Sequence, residues 1–139
     1  MTQALRPGGR LLIESADSRL QPLACPDETG PAQKLANRIR QACWTLQARR
    51  TDLGYGRTLT RRLRDADLVD VQAEACFSLA GHAEVRFERT MIERARERLI
   101  ASGMVTAEEL EQHLANVDAG RLDLTAFPVV SAWGRKARC

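Results

Sequence analysis

A chain of 139 residues with 44% hydrophobic and 28% charged residues has the composition of a folded domain rather than a disordered one, and none of its apolar runs approaches the length of a membrane span. Its net charge of +3 is carried almost wholly by arginine, and a basic excess this small, spread along the chain, argues against a dedicated nucleic-acid surface. The N-terminus lacks the charged-then-apolar-then-small order of a secretory leader, so a cytoplasmic protein is expected.

The first segment, Thr2-Gln3-Ala4-Leu5-Arg6-Pro7-Gly8-Gly9-Arg10, reads as the end of a helix and a Pro-Gly-Gly turn. Pro7 stops a helix and pushes Arg6 toward extended backbone, while Gly8 and Gly9 permit positive φ. The unbroken apolar run Leu11-Leu12-Ile13 then predicts a strand covered on both faces, as in the sheet of an α/β fold. A helix-turn-strand opening has nothing before it to pair with, and the chain is therefore expected to begin inside a larger fold.

Pro22, Pro26, Gly30 and Pro31 break regular structure after that strand, and a helix is predicted from Pro31 to Arg50, with Pro31 suited to its first turn. Leu35, Ile39, Ala42, Cys43 and Leu46 form its apolar stripe, predicted to pack on the sheet. Trp44 falls on the opposite side, where it calls for a second partner: a substrate cap, another subunit or a missing segment. Gly54-Tyr55-Gly56 marks a loop, followed by a short helix with Leu59, Leu63 and Ala66 inward and Arg57, Arg61 and Arg64 outward.

Val71, Ala73, Ala75, Phe77 and Leu79 alternate with polar residues and predict an outer strand with one buried face, which makes Phe77 a core residue. A charged helix over about 84–102 presents Phe87, Met91, Ala95 and Leu99 on its apolar side, and Ser102-Gly103 stops it. Thr106 and Glu109 form a capping box, and Val105 and Leu110 a hydrophobic staple, for a helix bearing Leu110, Leu114 and Val117 and closed by Gly120. Phe127–Trp133 is apolar on both faces except at Ser131 and predicts the more central strand.

Four segments taken in order resemble the C-terminal half of class I S-adenosylmethionine-dependent methyltransferases: Leu5-Arg6-Pro7-Gly8-Gly9-Arg10-Leu11-Leu12-Ile13-Glu14, Gly56-Arg57-Thr58-Leu59, Leu63 to Val71, and Phe127 to Arg135. One departure is Asp67, where that family usually has glycine; aspartate tolerates the left-handed backbone better than most residues. The resemblance implies an α/β fold of the doubly wound, Rossmann-like kind, spanning 1–139. Its three strands have the last antiparallel and lying between the others, with covering helices and an inserted helical pair at about 84–118. It implies the C-terminal portion of a small-molecule methyltransferase whose cofactor is S-adenosylmethionine. The glycine-rich loop and ribose-binding acid of that family have no counterpart here, so no cofactor-binding residue is assigned, and the chain alone is expected neither to bind the cofactor nor to catalyse methyl transfer. The alternatives are a non-enzymatic remnant that pairs with another chain, forming a homodimer through its first strand, and a basic binder using Arg57, Arg61, Arg62 and Arg64.

The catalytic residues are not legible, since methyl transfer depends more on alignment than on acid–base groups. Four side chains are candidates for facing a substrate. Asp17 lies past the C-terminal end of the first strand, the edge where open α/β sheets bind ligands, and its plainer role is to cap the following loop. His82, after the outer strand, stands where a general base fits or where a loop histidine is simply solvated. Tyr55 lines a pocket or packs over the start of the short helix, and Trp44 is the aromatic off its stripe. Cys25, Cys43, Cys76 and Cys139 lie far apart, and with His82 and His113 they give no zinc spacing, so no metal site is expected. Reduced thiols are predicted, Cys43 and Cys76 inside elements and Cys25 and Cys139 exposed.

Overall fold

The computed structural model describes residues 4–138. The chain divides into two compact units. The first takes the described residues up to Leu20, Leu53–Cys76 and those from Pro128 onward; the second takes Gln21–Asp52 and Phe77–Phe127.

The first unit is a three-stranded sheet with one short helix. Its strands are β1 (Arg10–Ala16), β2 (Leu68–Cys76) and β3 (Val129–Lys136), in the order β1-β3-β2. The last strand therefore lies between the other two and runs antiparallel to both, as predicted. Leu12 faces Trp133 in one ladder, and Gln72 faces the same Trp133 in the other. Pro7-Gly8-Gly9 makes the expected turn: Gly8 has φ +77°, and the Gly9 N–H donates to the Arg6 carbonyl at 2.8 Å. The helix end predicted before it begins at Thr2 and Gln3, which lie outside the described residues. Asp67 adopts φ +59° at the turn into β2, the left-handed geometry foreseen for it. A bulge between Val69 and Gln72, with Asp70 at φ +53°, interrupts the β2 ladder.

Helix α2 (Leu59–Asp65) covers one face of this sheet, joining Leu59 and Leu63 to Leu68, Val130 and Ala132, with Leu11, Ile13 and Val71 packed against them. The opposite face is open. Leu12 is 59% exposed there, beside Trp133 and Ser131, which corrects the expectation of a first strand covered on both faces. Phe77 is likewise no core residue. The strand stops at Cys76, the cluster under α2 takes only Leu68 and Val71 from it, and Phe77 is 49% exposed.

The second unit is helical: α1 (Pro31–Ala48), α3 (His82–Ala101) and α4 (Ala107–Asp118). The α1 stripe, for which a sheet was the expected partner, packs on the helices of its own unit. Ile39, Ala42 and Cys43 share one cluster with Ile92, Ala95 and Leu99 of α3 and with Val105 and Leu110. A second cluster joins Ala24, Cys25 and Ala36 to Val117, Leu122 and Leu124. The capping box forms as predicted: Thr106 N–H donates to Glu109 Oε2 at 2.9 Å, and Glu109 N–H donates to Thr106 Oγ1 at 3.1 Å. On α3 the buried line is Glu84, Glu88, Ile92, Ala95 and Leu99, leaving Phe87 and Met91 half-buried. Ala95 and Leu99 are inward as predicted and Met91 packs against the same cluster, while Glu84 and Glu88 occupy buried positions that an apolar pattern assigns to hydrocarbon.

Cys25 is buried, not exposed, and Cys76 is exposed, because β2 ends in a wet strand while the loop before α1 folds inward. Burial pushes the Cys25 thiol up to about 11 and the Cys43 thiol up to about 12, so both are neutral at physiological pH. Cys139 lies outside the described residues.

Candidate functional site

Asp17 follows β1 and is fully buried, at the sheet end where ligands of open α/β folds gather. Its carboxylate is already saturated. Arg57 donates through Nε to Oδ2 at 2.9 Å and through Nη2 to Oδ1 at 2.8 Å, a bidentate fork. The Arg57 backbone N–H adds a bond to Oδ2 at 2.8 Å, and the Arg19 N–H adds one to Oδ1 at 3.1 Å. Arg57's side-chain hydrogen bonds hold the Asp17 carboxyl below its ordinary value, against burial, which acts to raise it. An anion bound this fully stitches the loop after β1 to the turn before α2. Gly56 belongs to the same corner, since a Cβ there would lie 2.9 Å from Val130 Cγ2 and 3.0 Å from the Ser15 carbonyl oxygen. The corner demands glycine for close approach, not for unusual φ.

Tyr55 stands beside this corner with its ring under the Arg62 guanidinium, 4.7 Å from ring centroid to Cζ. Its carbonyl accepts from the Thr58 N–H at 3.0 Å, which places it over the start of α2. The arginines proposed for polyanion binding are largely engaged: Arg57 with Asp17, Arg61 with Asp65 at 3.1 Å, and Arg62 with Tyr55 and Thr58.

Trp44 and His82 belong to the helical unit, Asp17 and Tyr55 to the sheet unit. Trp44 is buried, and its indole N–H donates to the Pro22 carbonyl at 3.0 Å. The loop before α1 folds back over the helix and supplies the partner that this aromatic required, which corrects its reading as free surface for a substrate or subunit. His82 is the first residue of α3 and is exposed.

The helical unit also holds a buried charge network that the sequence reading missed. Arg40 of α1, Glu88 of α3 and His113 of α4 are all inaccessible to solvent. Arg40 Nε and Nη2 both donate to Glu88 Oε2, the first at 3.1 Å, and Nη2 also donates to the Thr125 carbonyl at 3.1 Å. His113 Nε2 lies 2.7 Å from Glu88 Oε1. Burial drives the Glu88 carboxyl upward, but the His113 hydrogen bond and the Arg40 charge outweigh it and leave it below its ordinary value. Among the described residues Arg40 Nη1 and His113 Nδ1 have no hydrogen-bond partner, while the guanidinium lies 5.4 Å from the Phe87 ring and 5.8 Å from the Trp44 ring.

A groove of about 530 Å³ runs between α1 and α3. Its α3 wall is one continuous helical face, Phe87, Thr90, Met91, Arg94, Ala95 and Arg98, spaced at three and four residues. Cys43, Leu46, Gln47 and Arg50 form the α1 wall. The signal for it was available: Arg98 has no acidic residue three or four positions away, so nothing on its own helix pairs it. Among the described residues no group of side chains has the makings of a metal site. No described helix is long and apolar enough to cross a membrane.

Neither a protein-family model nor a curated protein matches this sequence. Among solved structures, a Haemonchus contortus phosphoethanolamine N-methyltransferase 2 in complex with phosphomonomethylethanolamine and S-adenosylhomocysteine is a distant neighbour at TM-score 0.40 and 14% identity. The likeness covers 99% of this chain and 28% of that one, so the chain spans well under a third of its neighbour's length.

Proposed function

We propose that residues 1–139 form the C-terminal part of an S-adenosylmethionine-dependent small-molecule methyltransferase, with the cofactor held by sequence that precedes it. The sheet order β1-β3-β2, with β3 antiparallel between its neighbours, is the observation that supports this reading. It is the order implied by the resemblance of Leu5–Glu14, Leu63–Val71 and Phe127–Arg135, and a chain without that ancestry has many other ways to pair three strands.

The residues present do not fit the cofactor. A strand running into a glycine-rich loop and a helix start, with free backbone N–H groups, is what such a nucleotide requires. Here Gly8 and Gly9 precede their strand, and their N–H groups are taken by the Lys136 and Arg6 carbonyls. Asp17, the acid at the strand's end, is filled by Arg57 and the Arg19 N–H. Calorimetry on residues 1–139 should accordingly give no S-adenosylmethionine binding tighter than about 100 μM, near −5.5 kcal/mol. Restoring an upstream reading frame that encodes a strand and glycine-rich loop should create it. Binding by the chain alone, or stop codons immediately upstream of Met1, would overturn the reading.

A second reading, a non-enzymatic module that self-associates, is favoured by one observation. Strand β1 is at the sheet's edge, with Leu12 59% exposed on the open face. Sedimentation at about 100 μM should then show a dimer that Leu12→Lys disperses; a stable monomer at that concentration, well above ordinary micromolar affinities, removes this reading.

A further inference from the structure

In the helical unit Arg40 pairs with Glu88, Arg38 with Glu109, Arg89 with Glu93 and Asp118, and Arg96 with Glu111. Arg49, Arg50, Arg86, Arg94, Arg98 and Arg121 make no ion pair among the described residues, and of these Arg50, Arg94 and Arg98 line the groove between α1 and α3. No carboxylate lines it. Arg94 and Arg98 are one helical turn apart, so their like charges repel wherever no counter-charge stands between them. The guanidinium fork suits the paired oxygens of a carboxylate or phosphate.

Beneath the arginines the groove is apolar. Leu46, Met91 and Ala95 are packed into the main helical cluster and show hydrocarbon to the groove. Cys43, also at its wall, keeps a neutral thiol because burial pushes it up to about 12, so it neither repels an anion nor attacks an electrophile. The volume is that of a small-molecule site.

We propose that this groove binds a small amphipathic anion, with its carboxylate or phosphate held by Arg50, Arg94 and Arg98 and its apolar body lying on Leu46 and Met91. The inference gives the methyl acceptor of the proposed enzyme a chemical class. It rests on that reading for the acceptor's role, whereas the binding itself does not. A polyanion is disfavoured, because Glu93 and Glu97 are exposed on the same helix and would oppose a track of phosphates.

The test is calorimetry of the full chain with sodium decanoate, using decanol and decyltrimethylammonium as matched probes without the negative head. Decanoate should bind with a dissociation constant below about 100 μM, and the other two at least about tenfold more weakly. The exposed double variant Arg94→Gln/Arg98→Gln, checked for folding by circular dichroism, should weaken decanoate by about tenfold or more. Arg61→Gln/Arg64→Gln, which changes equal charge in the sheet unit, should leave it within about twofold. Equal binding of decyltrimethylammonium, equal loss in both double variants, or capture only by phosphatidylglycerol vesicles or by DNA would overturn the proposal. Methyl transfer by a restored longer frame that survives Arg94→Gln/Arg98→Gln would remove the groove and leave the proposed function; decanoate binding in a protein whose restored frame never takes the cofactor would do the reverse.

Discussion

Asp17 and Glu88 are both fully buried carboxylates facing an arginine, yet they are satisfied in different ways. Asp17 is met by two backbone N–H groups and by an arginine that keeps 45% of its side chain in water. Glu88 is met only by side chains, and its arginine is as deeply buried as itself. A guanidinium that reaches water loses little hydration, so the Asp17 corner needs few compensating contacts. The Glu88 network desolvates an acid, a base and an imidazole together, and it leaves Arg40 Nη1 and His113 Nδ1 without partners among the described residues. The first arrangement pins a loop. The second joins α1, α3 and α4 through one buried carboxylate.

The sharpest way to break the comparison is at Glu88. Glu88→Ala leaves a buried guanidinium unpaired and should destabilise the helical unit by about 3–5 kcal/mol, read by urea unfolding. Replacing all three members together, as Arg40→Met/Glu88→Leu/His113→Leu, should recover most of that loss, because hydrocarbon in place of a desolvated network is often neutral or better. A triple variant as unstable as the single one would show that the network stabilises in its own right.

Leu63→Ala should cost about 2–5 kcal/mol in the sheet unit, since Leu63 is 2% exposed in the cluster under α2. Phe77→Ala, at a residue 49% exposed, should cost less than about 1 kcal/mol. Similar losses at both would mean that the Phe77 side chain is covered in solution.

Asp17→Asn removes one charge and keeps the shape, and it should cost about 1.5–3 kcal/mol. The pH dependence has a definite sign. Asp17 has a folded pKa below its unfolded one, so its contribution is present above the ordinary carboxylate range and is lost as pH falls through the folded value. Wild-type stability should fall more steeply than that of Asp17→Asn on acidification below about pH 4. Parallel curves for the two proteins would show that the fork contributes nothing.

Local chemistry was legible in the sequence; pairings across the chain were not. Thr106 and Glu109 announce α4 because a capping box is complete within four residues, whereas the turn at Asp67 was expected from the resemblance, with aspartate tolerating the positive φ. The place of β3 between its neighbours followed from an apolar run and a resemblance together. Arg40 and Glu88 are 48 positions apart, and Glu88 and His113 are 25 apart, so no window joins them. Helical periodicity also missed the inward Glu84 and Glu88 of α3, because it counts a carboxylate as an outward residue whatever neutralises it. Trp44 was misjudged for a related reason: its partner is the backbone carbonyl of Pro22, which leaves no mark in a pattern of side chains.

The strand order has a consequence for synthesis. β1 and β2 do not pair with each other; each pairs with β3, which is translated after both. Every residue of the helical unit has left the peptidyl-transferase centre before the first residue of β3 is added. The sheet therefore closes only after the helical unit has been synthesised, by β3 adding between two strands that have waited for it, and this late, long-range step is exposed to intermolecular capture.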